Sequence, residues 1–394
     1  MELEEKCLEN QVFNHIKNLL PRIITLNDDL ADHPEESGYE YESAKKIVKL
    51  LRDYSIEVEF PFAGLPTAFK ACINKTSKPR TKIALLVEYD ALPGLGHACG
   101  HCVSACISLL AGIALSLTRE NFDGQIDIIG TPDEELNGGK IIMAEQGVFD
   151  DYDMAIMIHL DNKNRIETKL LALDSLKFIF KGKASHASAS PWDGKNALNG
   201  VQLMFHAIDM LRQHVMPDVR IHGIITNGGQ ASNIVPEEAA AEFLIRASKR
   251  EYLNEVTEMV RNCARGAAIS TGTEVSISNI SSSYDDLTSN VAGYNIIKQV
   301  YNELGLEISQ DDGFFGSSDI GNVSKKCPAF HPTLALTDKN IALHTREFAS
   351  LVKGEGAYKA IQDGAKILAA VVLRVLNNEK ILMQIRDCHN ESRK

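Results

Sequence analysis

The sequence predicts an α/β protein interrupted by an inserted α+β unit of ferredoxin-like order, and three observations predict it. Strand-like apolar runs alternate with helical periodicities up to about Leu170. From there to about Asp286 the order becomes β-α-β-β-α-β, the ferredoxin-like plan. The first pattern then resumes, and 394 residues are more than one typical core organises. The expected division is therefore residues 1–171 with 287–394 as one discontinuous domain, and 172–286 as the insert.

In the first stretch, Val12, Ile16, Leu19, Leu20 and Ile23 form one face of an opening helix, and Ala44, Ile47, Val48 and Leu51 mark a second over Glu42–Tyr54. Strands are expected at Ala68–Ile73, Ile83–Val87, Ile126–Ile129 and Met154–Ile158, with an apolar helix over Val103–Leu117. In the insert, Leu176, Phe178 and Phe180 alternate with Lys177 and Lys181, as in a half-exposed antiparallel strand. A helix carrying Leu198, Val201, Phe205, Ile208 and Leu211 follows. Strands are expected at Val219–Ile225 and Ala240–Ala247, then a helix marked by Leu253, Val256, Val260 and Cys263, then a strand over Thr273–Ile280. Helices near Val291–Leu304 and Ala357–Leu376 complete the first pattern, and the tail Asp387–Lys394 reads as disordered.

Composition narrows the function. A hydrophobic content of 44% and a charged content of 24% are ordinary for a globular enzyme. The net charge of −12 argues against nucleic-acid or anionic-membrane partners. Eight scattered cysteines, an acidic N-terminus and the lack of a transmembrane-length apolar run point to the cytoplasm.

The chemistry concentrates in Glu88–Cys102. Four metal-ligand types, His97, Cys99, His101 and Cys102, fall within six residues, between a strand's end and a helix's start. Gly130–Lys140, after another strand-like run, presents Glu134 and Glu135 side by side. The apolar run Met154–Ile158 ends in His159, and Ile341–Leu343 ends in His344. Singly these read as polar strand caps or a helix-start pair. In a mostly parallel sheet, however, the carboxyl ends of the strands share one edge, and the four loops would converge there.

Six motifs in order resemble the dinuclear-metal aminoacylase/carboxypeptidase family. They are E-Y-D-A-L-P-G-L-G-H-A-C-G-H (Glu88–His101), G-T-P-D-E-E (Gly130–Glu135), S-H-A-S-A-S-P-W-D-G-K-N-A-L (Ser185–Leu198), I-H-G-I-I-T-N-G-G-Q-A-S-N-I-V-P (Ile221–Pro236), G-S-S-D-I-G-N-V-S (Gly316–Ser324) and H-T-R-E-F (His344–Phe348). The resemblance lies with the amidohydrolase branch: indole-acetyl-amino-acid hydrolases, aminobenzoyl-glutamate hydrolases and β-alanyl-lysine-type dipeptidases. Where many relatives outside this branch carry a His-x-Asp ligand motif, this chain has Glu88-Tyr89-Asp90. Cys102 stands where relatives more often carry Asp or Asn.

The resemblance implies a zinc-peptidase-like catalytic domain with the insert as lid and dimerisation domain. It implies five ligands for two divalent ions, Zn²⁺ or Mn²⁺: Cys99, His101, Glu135, His159 and His344. Glu134 is then the general base and acid, and His186, often supplied by the partner of a homodimer, stabilises the oxyanion. Asn233 and Arg246 are candidates for a substrate carboxylate, although Arg246 could instead pair with Glu242. Gly316 and Ser317 are expected beside the substrate in a backbone pocket, and Asp90 behind a ligand. His97, Cys102 and His222 have no assigned role. The implied substrate is a small amide, an N-acyl amino acid or a dipeptide. The rivals are an aminobenzoyl-glutamate or indole-acetyl conjugate hydrolase, a non-catalytic metal- or peptide-binding homologue, and a thiol redox sensor at Cys99, Cys102 and Cys106.

Overall fold

The computed structural model describes residues 2–75, 80–310 and 316–392. In chain order, α1 (Glu2–Asp32) and α2 (Tyr41–Asp53) precede β1 (Glu57–Glu59), β2 (Phe69–Ile73) and β3 (Lys82–Val87). Next come α3 (His101–Ser116), β4 (Gln125–Gly130), α4 (Gly139–Glu145), β5 (Met154–Ile156) and β6 (His159–Asp161). A second block holds β7 (Ala172–Lys181), α5 (Ala197–Leu211), β8 (Arg220–Asn227), β9 (Glu238–Ala247), α6 (Arg250–Thr271) and β10 (Glu274–Asn279). The chain closes with α7 (Val291–Glu303), α8 (Ile320–Ser324), β11 (Ala329–Phe330), β12 (Thr333–Ala335), α9 (Arg346–Ala349), α10 (Glu355–Asn377) and α11 (Glu379–Ser392). These elements form two compact units, Met1–Lys169 with Leu287–Lys394, and Leu170–Asp286.

The first unit is built on a six-stranded sheet of order β1-β2-β4-β3-β5-β11, in which β4, β3, β5 and β11 run parallel. Its central strands β3 and β4 are buried on both faces, as in a sheet covered by helices, with Gln125 and Asp127 of β4 the polar exceptions. All sixteen residues of α3 are buried, and the helix packs against α1, α10 and β3. A helix apolar on every side is stable only when enclosed in this way. Val87 pairs with Gly130, so the segments leaving β3 and β4 emerge together at one edge. A short parallel pair, β6 with β12, sets His159 opposite Thr333.

The second unit is a four-stranded antiparallel sheet of order β10-β7-β9-β8. Leu176, Phe178, Phe180 and Phe243 pack against Val201 and Met204 of α5 and Val256 and Val260 of α6. The alternation of large apolar and charged residues along β7 is what one covered face and one open face demand.

Two local expectations are corrected. Ile341–Leu343 forms no strand; it lies in the connection between β12 and α9, so His344 belongs to a loop. The tail is helical through Ser392, because Leu382, Ile385 and His389 recur at helical spacing and are buried. Asn290 Nδ2 also donates to Ile385 O at 2.9 Å. Residues 393–394 lie outside the described residues. No helix among the described residues is long and apolar enough to cross a membrane.

Candidate metal centre

The segment after β3 reverses direction through Gly100, at φ +81°, before α3 begins at His101. A Cβ on residue 100 would stand 2.9 Å from Leu160 Cβ, so a side chain there is excluded by both conformation and space. This turn aims Cys99 and His101 at the same point as the residues following β4 and β5. Cys99 Sγ lies 3.4 Å from His159 Nε2 and 3.4 Å from His344 Nε2. His101 Nε2 is 3.9 Å from Glu135 Oε1, and His344 Nε2 is 3.8 Å from Glu135 Oε2. Two three-membered sets result, Cys99 with His101 and His159, and Cys99 with Glu135 and His344; within each, the ligand atoms lie within 4.8 Å of one another. Cys99 is common to both.

The backbone is strained on both sides of the cluster. Asp133 (φ +63°) and His344 (φ +60°) occupy the left-handed region, where a non-glycine residue persists only if its surroundings hold it. Asp133 O accepts from Gly138 N and Gly139 N, and its carboxylate accepts from Asn137. His344 N donates to Ala98 O.

Hydrogen bonds fix the imidazole tautomers. His101 Nδ1 is 2.9 Å from Asp90 Oδ1 and 3.1 Å from Asp90 O, both acceptors, so Nδ1 carries the proton and Nε2 presents a lone pair to the cluster. His159 Nδ1 likewise donates to Leu160 O at 2.8 Å, leaving Nε2 towards Cys99. Asp90 Oδ2 accepts from Ser37 Oγ at 2.7 Å and from Glu135 N at 3.0 Å, so one carboxylate braces two of the converging residues. Burial alone would raise Asp90, but His101 beside it holds the carboxyl well below its usual range.

These side chains fit a divalent cation. His101 Nε2, Glu88 Oε2 and Glu135 Oε1 are buried and lack hydrogen-bond partners among the described residues. Burial, and after it Glu135, push the Cys99 thiol far above its usual range, so it ionises there only with a cation at hand. Thiolate, imidazole and carboxylate together suit first-row divalent ions.

Glu134 lies beside the cluster, with a carboxylate oxygen within 4.8 Å of His101 and Glu135 donor atoms. Burial, then Glu88 and Asp319, raise its carboxyl strongly. The fully buried Lys140 reaches Glu88 Oε1 at 2.5 Å and Asp319 Oδ1 at 2.6 Å. Lys140 and Asp319 therefore tie the loop after β4 to the 316–319 segment. In that segment Gly316 is exposed and Ser317 is half-buried.

The second unit carries the remaining candidates. His186 is exposed, and its Nδ1 accepts from the backbone N–H groups of Ser188 and Ala189, each at 3.3 Å, which leaves Nε2–H as a donor. Asn233 is exposed, and its backbone carbonyl accepts from Ala187 N. Arg246 on β9 stands opposite Leu173 and Arg220. Glu242, on the same strand, binds Lys177 at 3.0 Å. Burial lowers both Arg246 and His222, the latter with help from Arg246 and Arg212.

Sequence reasoning assigned no role to Lys140 and did not single out His331. The His331 ring lies 5.0 Å from that of His159, and its Nε2 is buried without a hydrogen-bond partner among the described residues. It follows β11 directly, and the strand-end rule that found His159 would have found it too. His97 is buried with neither ring nitrogen hydrogen-bonded, and burial, with His101 next, lowers it to about 4. Cys102 and Cys106 belong to the core around α3.

Lone pairs converging on one point, a carboxylate at their side, and a position at the carboxyl edge of a parallel sheet define a metallohydrolase type of site. Residues 84–374 match the family model described as peptidase family M20/M25/M40. The chain is 34% identical over 338 residues to a Xaa-Arg dipeptidase of Mus musculus, covering 83% of this chain and 78% of that one. It is 28% identical over 449 aligned positions to a p-aminobenzoyl-glutamate hydrolase chain of Escherichia coli K12, covering 94% and 92%. A solved Bacillus subtilis structure, described as a dinuclear metal binding peptidase of the M20 family, superposes with a TM-score of 0.70 at 21% identity, covering 92% of this chain and 99% of that one. The chain belongs to peptidase family M20/M25/M40. It is a hydrolase of amide bonds.

Proposed function

We propose that this chain hydrolyses the amide bond of a dipeptide or N-acyl amino acid at a centre of two divalent ions, Zn²⁺ or Mn²⁺, held by Cys99, His101, Glu135, His159 and His344. The observation that carries the reading is the convergence of these five side chains in two sets that share Cys99. Bound there, the ions supply Lewis acidity towards the scissile carbonyl and lower the pKa of water. Glu134 takes the proton of the attacking water and returns it to the departing amine nitrogen. Asp90 holds His101 and Glu135 in place.

His186 Nε2–H supplies the oxyanion donor, Asn233 and Arg246 take the substrate carboxylate, and Gly316 and Ser317 border the substrate. The second unit acts as lid and dimerisation domain; the exposed Ile224 and Ile225 on edge strand β8 support a homodimer. The cytoplasm is the proposed compartment, which suits eight free cysteines.

The mouse relative makes a dipeptide the first substrate class to try, and the Escherichia coli relative makes aminobenzoyl-glutamate the second. The test is amine release from a panel of dipeptides, N-acyl amino acids and both conjugate types, by metal-loaded enzyme with Glu134→Ala as blank. Release that a chelator abolishes and the variant lacks is the expected result. Turnover by Glu134→Ala close to that of the unmodified enzyme would overturn it.

A further inference from the structure

A further set of three ligand-type side chains lies alongside these: Glu88, Glu134 and Asp319, with oxygens within 4.8 Å of one another. Proximity alone would suit a hard divalent cation, which takes oxygen donors. Here the positive charge is already supplied by a side chain. Lys140 has no exposed surface, and its Nζ lies 2.5 Å from Glu88 and 2.6 Å from Asp319. Its own backbone N–H donates to the other Asp319 oxygen at 2.9 Å, so Asp319 binds Lys140 at both its backbone and its ammonium. Glu88 Oε1 is occupied by Lys140, while Oε2 has no hydrogen-bond partner among the described residues and lies 3.4 Å from His101 Nε2. The carboxylate cluster and the metal cluster are thus direct neighbours.

We propose that Lys140 is a positioning residue: its ammonium is the built-in cation of the Glu88–Glu134–Asp319 cluster, keeping Glu134 in place and a further divalent ion out. This rests on reading Glu134 as the base. A divalent ion in the cluster would take an oxygen of Glu134 and withhold it from the attacking water. A monovalent ammonium fixed by Glu88 and Asp319 balances charge without doing so.

The experiment compares wild type, Lys140→Met and the double variant Lys140→Met/Asp319→Asn. Each is loaded with excess Mn²⁺ and desalted, and metal per chain is measured by mass spectrometry alongside kcat and KM. Lys140→Met is expected to retain one more ion per chain than wild type and to lose about 10²-fold or more in kcat. The double variant, lacking one carboxylate, returns to the wild-type count. A packing role alone would leave the count unchanged, and an unchanged count in Lys140→Met overturns the proposal.

If Lys140→Met does not fold, Lys140→Gln carries the same comparison. Failure of both to fold even with excess Mn²⁺ also overturns it, since a divalent ion should replace the missing charge. Wild type that retains no metal would instead sink the reading of the five ligands.

Discussion

Asp90→Asn is the substitution whose effect follows most directly from the geometry. The Asp90 carboxylate receives three buried donors: His101 Nδ1–H on Oδ1, and Ser37 Oγ–H and Glu135 N–H on Oδ2. An asparagine has one oxygen for these two sides. If its NH₂ faces Ser37 and Glu135, the backbone N–H of Glu135 is left buried against a donor, a loss of about 1–3 kcal/mol. If it faces His101, the ring is driven to the opposite tautomer, with the proton on Nε2, where a lone pair is needed. Either orientation disturbs one proposed ligand. Loss of such a buttress typically weakens metal binding about 10–100-fold, or about 1.4–2.8 kcal/mol. Competition against a fluorescent chelator reads this directly, and activity should recover in large part at saturating metal, because Glu134 is untouched. Affinity within threefold of wild type would refute the claim that Asp90 governs the imidazole's proton.

Glu40 is buried and accepts Gly38 N, Asp133 N and Thr67 Oγ, yet burial, with Asp90 next, raises its carboxyl from 4.5 to about 7. The folded state therefore binds this proton more tightly, and its contribution to stability is lost as pH rises from about 4.5 to 7, by about 3 kcal/mol. Urea unfolding of metal-free protein should show Glu40→Gln gaining on wild type by that amount across the window; parallel pH profiles would count against it. Gly100→Ala meets both a left-handed φ, about 1–2 kcal/mol, and Leu160 at 2.9 Å, about 1–3 kcal/mol. It should lower the melting temperature and weaken metal binding together, and a wild-type melting curve would argue against it.

The sequence made the two patterns of elements legible because their apolar periods differ: a continuous run in β3, alternation in β7. The segments that carry the proposed ligands were legible where residues follow a strand, as after β3 and β4, and the same rule led to His159 although β5 ends earlier than expected, at Ile156. It led to His344 through a strand that does not form: Ile341–Leu343 is loop, and His344, at a left-handed φ, is held by its bond to Ala98 O. Lys140 escaped because a lysine after two glycines reads as surface, and only tertiary structure shows two carboxylates waiting for it. The tail misled because its apolar residues are few; three buried positions at helical spacing anchor an otherwise polar helix against α7 and α10.

His344 lies in the part of the chain that follows the second unit, far from Cys99, His101, Glu135 and His159 in order of synthesis. An ion held jointly by Cys99 and His344 would close a loop that contains the whole of Leu170–Asp286. Closing a loop of that length is entropically costly, though the cost grows only logarithmically with length. The same joint site cannot form on a nascent chain until the second unit and β12 have been made. Metal capture by both proposed sets together would thus be among the last events of biogenesis, and a chain truncated before His344 would emerge with its Cys99–His101–His159 set alone.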